Sequence, residues 1–204
     1  AYLNSGVQIK LIDERVDAQG RIREEQYHDE NGLIAYVEHL NGAKIADSPV
    51  IHLSINDEKQ QMSAELAMQY TDATSENVLA FGNNIFNPDG GTHISGFRSS
   101  LTRTINAYAK RSNLLKDLTP TGDDLREGLT SIISVKLADP QFNNQTKEKL
   151  LNPEVEGLVT KMISSQLGAW LEEHPTEARQ ICMKAQLAAQ AREAEPRDVV
   201  PGHG

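Results

Sequence analysis

Cysteine is nearly absent from this sequence, because Cys182 is the single cysteine among 204 residues. One thiol excludes an internal disulfide framework and favours a reducing compartment. No hydrophobic run reaches the length of a membrane span, and the first residues lack the basic and then apolar order of a secretion signal. These absences predict a cytoplasmic protein that does not interact with a membrane.

Positive charge is also scarce, with 20 Lys and Arg residues against 29 Asp and Glu residues and a formal net charge of −9. A chain this acidic does not bind DNA through its overall charge. A DNA-binding role would therefore require a local cluster of basic side chains. The apolar fraction of 38% is enough to build a core.

Most motifs for catalysis or metal binding are missing. The six histidines lack close paired spacing, and there is neither a glycine-rich phosphate loop nor a GxSxG nucleophile elbow. The run TGDDLRE (121–127) clusters carboxylates that could hold a divalent cation. Capping of backbone N–H groups by these Asp side chains explains the run better. We predict no metal site, and the residues alone give no complete catalytic set.

Apolar residues that alternate with polar ones predict a β-hairpin from 7–12 and 21–28, and then four further strands. Spacings of three and four residues predict four helices. Gly42 is expected to end the first helix, Thr92 to cap the second, and Asn152 to cap the third ahead of Pro153. The element order predicts an α+β fold with a mostly antiparallel sheet. The further strands are 50–55, 62–71, 76–85 and 129–137, and the helices are 31–44, 92–111, 153–174 and 176–194.

A lysine flanked by polar residues follows the last predicted strand, in the segment DPQFNNQTKEKL (139–150). The ammonium of Lys147 and the amide of Gln145 are suited to bind a phosphate and to stabilise charge on a transferring phosphoryl group. A charged loop residue is also ordinary solvated surface. The triplet alone leaves both interpretations open.

Five runs of residues occur in an order that resembles the gyrase B family of type IIA topoisomerases. The resemblance covers most of the chain. The run GDDLREGL is more similar to gyrase than to the related topoisomerase IV. The runs are AYLNSGVQIKLIDER, GLIAYVEHLN, GGTHISGFRSSLTRTINAYAK, TGDDLREGLTSIISVKLADPQFNNQTKEKL and AAQAREA.

The resemblance implies a fold and a division of the chain. Residues 1–45 would be the terminal hairpin and helix of a GHKL ATPase domain. Residues 46–194 would be a transducer domain of the ribosomal protein S5 domain 2-like type, ending in two long helices. Residues 195–204 depart from the family and would be a disordered tail or an artificial extension.

The resemblance also implies a function. In the intact topoisomerase, ATP binding and hydrolysis would drive DNA strand passage and negative supercoiling, and this chain would be the energy-coupling segment. Lys147 and Gln145 would contact the ATP γ-phosphate, and Lys147 would be a catalytic residue. Arg98 would face the cavity that holds DNA. ATP and Mg²⁺ would be held mainly by a domain upstream of Ala1, so the isolated chain should bind no cofactor and be inactive. The implied partners are DNA, gyrase A and a second copy of gyrase B.

One alternative belongs to another functional class. A stand-alone module with the same S5-like fold could bind RNA or protein without any ATPase activity. A mismatch-repair or chaperone relative of the ATPase superfamily is disfavoured, because GGTHISGFR and GDDLREGL are typical of topoisomerases.

Overall fold

The computed structural model describes residues 1–194, and the predicted tail at 195–204 lies outside the described residues. The predicted strands and helices are present with shifts at their ends, except that the strand predicted at 76–85 is two short antiparallel strands. Asn83 and Asn84, both with positive φ, form the tight turn between them. The strands are β1 (Gln8–Val16), β2 (Ile22–His28), β3 (Ile51–Asp57), β4 (Met62–Tyr70), β5 (Asn77–Gly82), β6 (Ile85–Phe86) and β7 (Leu129–Leu137). The helices are α1 (Leu33–Asn41), α2 (Thr92–Arg111), α3 (Gly122–Arg126), α4 (Pro153–Met162), α5 (Gly168–Glu173) and α6 (Pro175–Ala194), with a π-helical turn at Ile163–Leu167.

Five of the strands form one mixed sheet in the order β3-β4-β7-β5-β6. Strand β4 pairs antiparallel with β3 and with β7, and Met62 lies opposite Leu137. The exception is β5, which runs parallel to β7. The predicted α+β class and the mostly antiparallel sheet are therefore confirmed.

Helices cover both faces of this sheet. On one face, Leu33 and Val37 of α1 pack against Ala67, Phe81 and Ile132. On the other face, α2 and α4 pack against the strands, and α5 and α6 pack on the helices of this layer to complete the larger core. Strand β4 lies between the two layers, which is why both of its faces carry buried residues.

The hairpin of β1 and β2 forms a separate two-stranded sheet. Its strand residues are largely exposed, including the apolar side chains of Ile9 and Leu11. Among the described helices, none is both long enough and apolar enough to cross a bilayer.

Two helix caps differ from the sequence prediction. Gly91 occupies the N-cap position of α2 and Thr92 is the first helical residue, so the predicted cap at Thr92 is wrong. Asn152 does occupy the N-cap position of α4, ahead of Pro153, but its side chain makes no capping bond. It binds the preceding loop instead, accepting from the Gln141 backbone N–H at 2.6 Å and donating to the Asp139 carbonyl at 3.0 Å.

The carboxylate run at 121–127 contains the short helix α3, which the sequence analysis did not include among the predicted helices. Thr121 and Asp124 make a reciprocal capping box, and Asp124 also pairs with Arg192 of α6 at 3.2 Å. The capping interpretation of this run is confirmed. Within residues 1–194, no group of three or more His, Cys, Asp or Glu side chains could hold a metal ion.

The long helix predicted at 153–174 contains the π-helical turn that periodicity did not predict. Its apolar side chains are buried as predicted, except that Trp170 is half-exposed and stacks on His174 at 4.3 Å between ring centroids. Within the turn, Gln166 accepts from the Ser54 N–H at 3.1 Å and donates to the Ser54 carbonyl at 2.6 Å. One amide thus satisfies both backbone groups of Ser54 on the edge strand β3.

Candidate functional site

The segment after β7 returns to the N-terminus of α2 and is fixed there by its backbone. The Leu150 N–H donates to the Gly90 carbonyl at 3.0 Å, and the Leu150 carbonyl accepts from the Thr92 N–H at 3.1 Å. Across the base of the loop, the Leu151 N–H donates to the Gln141 carbonyl at 2.8 Å. The segment that carries Lys147 is therefore a closed loop anchored on α2.

Two asparagines shape the tip of this loop. Asn143 pairs with Lys149, through its backbone N–H to the Lys149 carbonyl at 3.1 Å and through its Oδ1, which accepts from the Lys149 N–H at 3.0 Å. The Oδ1 of Asn144 accepts from the hydroxyl of Thr146 at 2.8 Å. The Lys147 N–H donates to the Asn144 carbonyl at 3.2 Å. Because these bonds use backbone groups and neighbouring side chains, they leave the amide of Gln145 and the ammonium of Lys147 exposed at the tip.

Lys147 itself has a left-handed backbone, with φ of 58°. This conformation costs a non-glycine residue about 1–2 kcal/mol, so surrounding contacts must hold it. The Lys147 Nζ lies 5.7 Å from the centroid of the Phe142 ring, within range of a cation–π contact. Among the ion pairs within residues 1–194, none involves this ammonium. The charge at the loop tip is thus available to an anion.

Buried polar side chains lie beneath the lysine. The Asn87 Nδ2 donates to the Lys147 carbonyl at 2.6 Å, and the Asn87 Oδ1 contacts the His93 Nε2 at 3.0 Å. His93 is fully buried, and burial lowers the pKa of its imidazole from 6.5 to about 4. Neither residue was predicted from the sequence. The one sequence feature that could have drawn attention to His93 is its position in the first turn of an amphipathic helix, because such a helix buries one of its faces.

Arg98 lies on the exposed side of α2, but it is not free. Its Nη2 donates to the Glu76 carboxylate at 3.2 Å, and Glu76 also lies 3.2 Å from the Arg126 guanidinium. The arginine lines a cavity of about 170 Å³ together with Asn87 and Asp89. Helix α2 contains four basic residues and no acidic one, in a chain with a net charge of −9. Two of the four, Arg98 and Arg111, pair with Glu76 and Glu172, so this helix supplies only part of the local positive charge that a DNA-binding role requires.

The single cysteine takes no part in this site. Cys182 is buried in α6, and burial raises the pKa of its thiol to about 11. A thiol in this environment stays protonated at neutral pH and does not act as a nucleophile. Cys182 is a packing residue of the main core.

Two solved structures with a similar fold are ATP-binding regions, one from a gyrase B and one from a topoisomerase IV. The 43K ATPase domain of Thermus thermophilus gyrase B, solved with an aminocoumarin, superposes with a TM-score of 0.82 at 34% identity, covering 95% of this chain and 51% of that one. The topoisomerase IV ATP-binding domain of Francisella tularensis, solved with a small-molecule inhibitor, gives a TM-score of 0.70 at 30% identity over 84% of this chain and 46% of that one. The fold therefore defines the class: this chain is similar to about half of the ATPase region of these enzymes.

Sequence comparison identifies the family within that class. The profile of DNA gyrase B matches residues 32–199. The DNA gyrase B of Cytophaga hutchinsonii is 45% identical over 199 residues, which cover 95% of this chain and 41% of that protein. The chain belongs to the DNA gyrase B family. The stand-alone RNA- or protein-binding alternative is not favoured, and this chain spans less than half the length of that relative.

Proposed function

We propose that this chain is the energy-coupling segment of a gyrase B, acting in the intact, cytoplasmic enzyme to link ATP binding and hydrolysis to DNA strand passage and negative supercoiling. Residues 1–45 would be the end of the GHKL ATPase domain, and residues 46–194 the transducer domain. One observation carries the proposal: an exposed lysine without an ion-pair partner in the described chain is held at the tip of a closed loop.

The donors at the loop tip suit a terminal phosphate. The ammonium of Lys147 is a compact charge, and the amide of Gln145 can donate to a phosphate oxygen. Both groups would contact the γ-phosphate of an ATP that is bound mainly by the ATPase domain. As charge develops on the transferring phosphoryl group, a prepositioned ammonium stabilises it without further reorganisation, which makes Lys147 a catalytic residue.

Cofactor chemistry is divided between this chain and the rest of the enzyme. Because the described residues contain no cluster of metal ligands, Mg²⁺ would be held elsewhere together with the base and ribose of ATP. We expect the isolated chain to need no cofactor. Its partners in the enzyme would be DNA, gyrase A and a second gyrase B, with the basic helix α2 and Arg98 facing the DNA.

The decisive experiment is Lys147→Ala in the intact enzyme. Loss of a donor to a developing oxyanion typically lowers turnover by about a hundred- to a thousandfold. The affinity for ADP should change little, because ADP lacks the γ-phosphate. Lys147→Arg should not restore full turnover, since a planar guanidinium does not replace a compact ammonium.

Lys149→Ala is the matched control. Lys149 is an equally exposed lysine two residues away, and its hydrogen bonds to Asn143 use only its backbone. Its variant should turn over ATP at nearly the native rate. Native turnover in Lys147→Ala would contradict the proposal, and equal losses in both variants would indicate a nonspecific charge effect.

A further inference from the structure

We infer that Asn87 and His93 are positioning residues for Lys147: together they form a buried hydrogen-bonded bridge that fixes the backbone from which the lysine projects. The inference rests on the proposed role of Lys147 in binding phosphate. Neither residue would touch the nucleotide, because the bridge ends at the main-chain carbonyl of Lys147.

The bridge has a single consistent direction of donation. The Ile94 N–H donates to the His93 Nδ1 at 3.1 Å, so Nδ1 acts as the acceptor and the imidazole proton lies on Nε2. Nε2 then donates to the Asn87 Oδ1 at 3.0 Å, which leaves the Asn87 Nδ2 to donate to the Lys147 carbonyl at 2.6 Å. A chain of donors thus runs from the first turn of α2 to the loop.

Both side chains of this bridge are buried. Asn87 is 2% exposed and His93 is fully buried. Inside a protein, hydrogen bonds are stronger than in water, and a buried polar group without a partner is costly. The Asn87 backbone N–H also donates to the Ala80 carbonyl of β5 at 2.8 Å, which fixes the asparagine to the sheet. The loop is therefore attached to both the sheet and α2.

The backbone conformation of Lys147 explains why this residue needs the hydrogen bond from Asn87. Lys147 has φ of 58°, a backbone conformation that a lysine does not favour by itself. Its N–H is held by the Asn144 carbonyl, and its own carbonyl is held by Asn87. Fixing both peptide groups determines the direction in which the side chain leaves the loop. Without the bond from Asn87, we expect the residue to relax towards negative φ and the ammonium to move.

Asn87→Asp in the intact enzyme tests this inference. The carboxylate keeps the size of the side chain and still accepts from His93, but it cannot donate to the Lys147 carbonyl. A displacement of about 1 Å at a catalytic group can cost on the order of a hundredfold. We expect the kcat for ATP hydrolysis to fall between about tenfold and a hundredfold, with ADP affinity nearly unchanged.

Asn41→Asp is the matched control. Asn41 is 6% exposed, donates to the Gln69 amide oxygen at 2.7 Å and accepts from the Thr130 hydroxyl at 2.6 Å. Asn41→Asp likewise introduces a buried carboxylate, at a position distant in sequence from the loop. Destabilisation alone would lower kcat to a similar extent in both variants, and that result would overturn the inference. A selective loss in Asn87→Asp supports it.

A second pair of variants covers the case in which Asn87→Asp does not fold. His93→Gln places an amide N–H near the position of Nε2, whereas His93→Phe keeps a ring but cannot donate. Hydrogen exchange of residues 143–149 in the 204-residue chain should be faster in His93→Phe than in His93→Gln. Equal exchange in both variants and in the native chain would overturn the bridge.

The two proposals fail in different ways. If Lys147→Ala keeps native turnover, the phosphate-binding role is wrong, whatever the exchange of the loop. If Lys147→Ala loses turnover while Asn87→Asp keeps native turnover and His93→Phe leaves the exchange of the loop unchanged, the role of Lys147 stands and the positioning role of the bridge is wrong.

Discussion

The buried imidazole of His93 should make the stability of this protein fall as the pH drops below neutrality. Burial lowers the pKa of His93 from 6.5 to about 4 in the folded chain, and the contact with the Gly91 backbone opposes this shift only in part. In the unfolded chain the imidazole takes up a proton near pH 6.5, while the folded chain still excludes it. The stabilising contribution is therefore complete above pH 6.5 and is lost between pH 6.5 and 4.

The size of the effect follows from the distance between the two pKa values. Each pH unit across which only the unfolded state binds the proton costs about 1.4 kcal/mol of unfolding free energy. The interval from 6.5 to about 4 therefore corresponds to about 3 kcal/mol. Many domains have a total stability of only about 5–15 kcal/mol, so a loss of this size is readily measured.

Urea unfolding of the 204-residue chain at a series of pH values between 7.5 and 4.5 measures this loss. His93→Gln removes the imidazole at this position. The unfolding free energy of the variant should therefore depend less on pH across this interval, even if the variant is less stable at pH 7.5. Parallel pH curves for the native chain and His93→Gln would refute the reasoning.

The remaining predictions concern the core, DNA and the isolated chain. Ile163→Ala should lower the unfolding free energy by about 2–5 kcal/mol, because Ile163 is fully buried. Trp170→Ala should cost less, since Trp170 is half-exposed; equal urea midpoints for both variants and the native chain would show that this stripe is not core. Reversing the charge at Arg98 with Arg98→Glu should lower the ratio of DNA-stimulated to DNA-free ATP turnover in the intact enzyme, and an unchanged ratio would remove Arg98 from the DNA surface. The isolated chain should show only background phosphate release, whereas turnover that follows the protein peak through repurification would contradict the proposal that ATP is bound mainly outside this chain.

Periodicity predicted the fold well because it reports burial directly. The alternation from Met62 to Tyr70 and the helical spacing from Ile94 to Tyr108 both match buried faces in the structure. The π-helical turn was not predictable in this way, because its contact depends on Ser54, which lies 112 residues from Gln166. A helical pattern in one segment carries no information about an amide that pairs with a distant edge strand.

The candidate site was predicted only in the part that faces solvent. Lys147 and Gln145 attracted attention because a lysine and an amide together suit phosphate, whatever the surrounding fold. Asn87 and His93 did not, since a histidine in a sequence with six scattered histidines has no distinctive spacing. Their role depends on a contact between Asn87 and a carbonyl 60 residues away, which exists only in the folded chain.

The backbone around Leu150 suggests how a contact at the loop tip would reach the rest of the chain. Gly91 has φ of 138°, and a Cβ at this position would lie 2.2 Å from the Leu150 carbonyl oxygen, so only glycine permits the approach that joins the loop to α2. Leu150 bonds to Gly90 and Thr92 on either side of this glycine, and Asn87 and His93 make a second connection deeper in the core. Both connections join the loop to the first turns of α2. In the proposed function, a change at Lys147 would reach α2, the helix that carries Arg98, through these bonds.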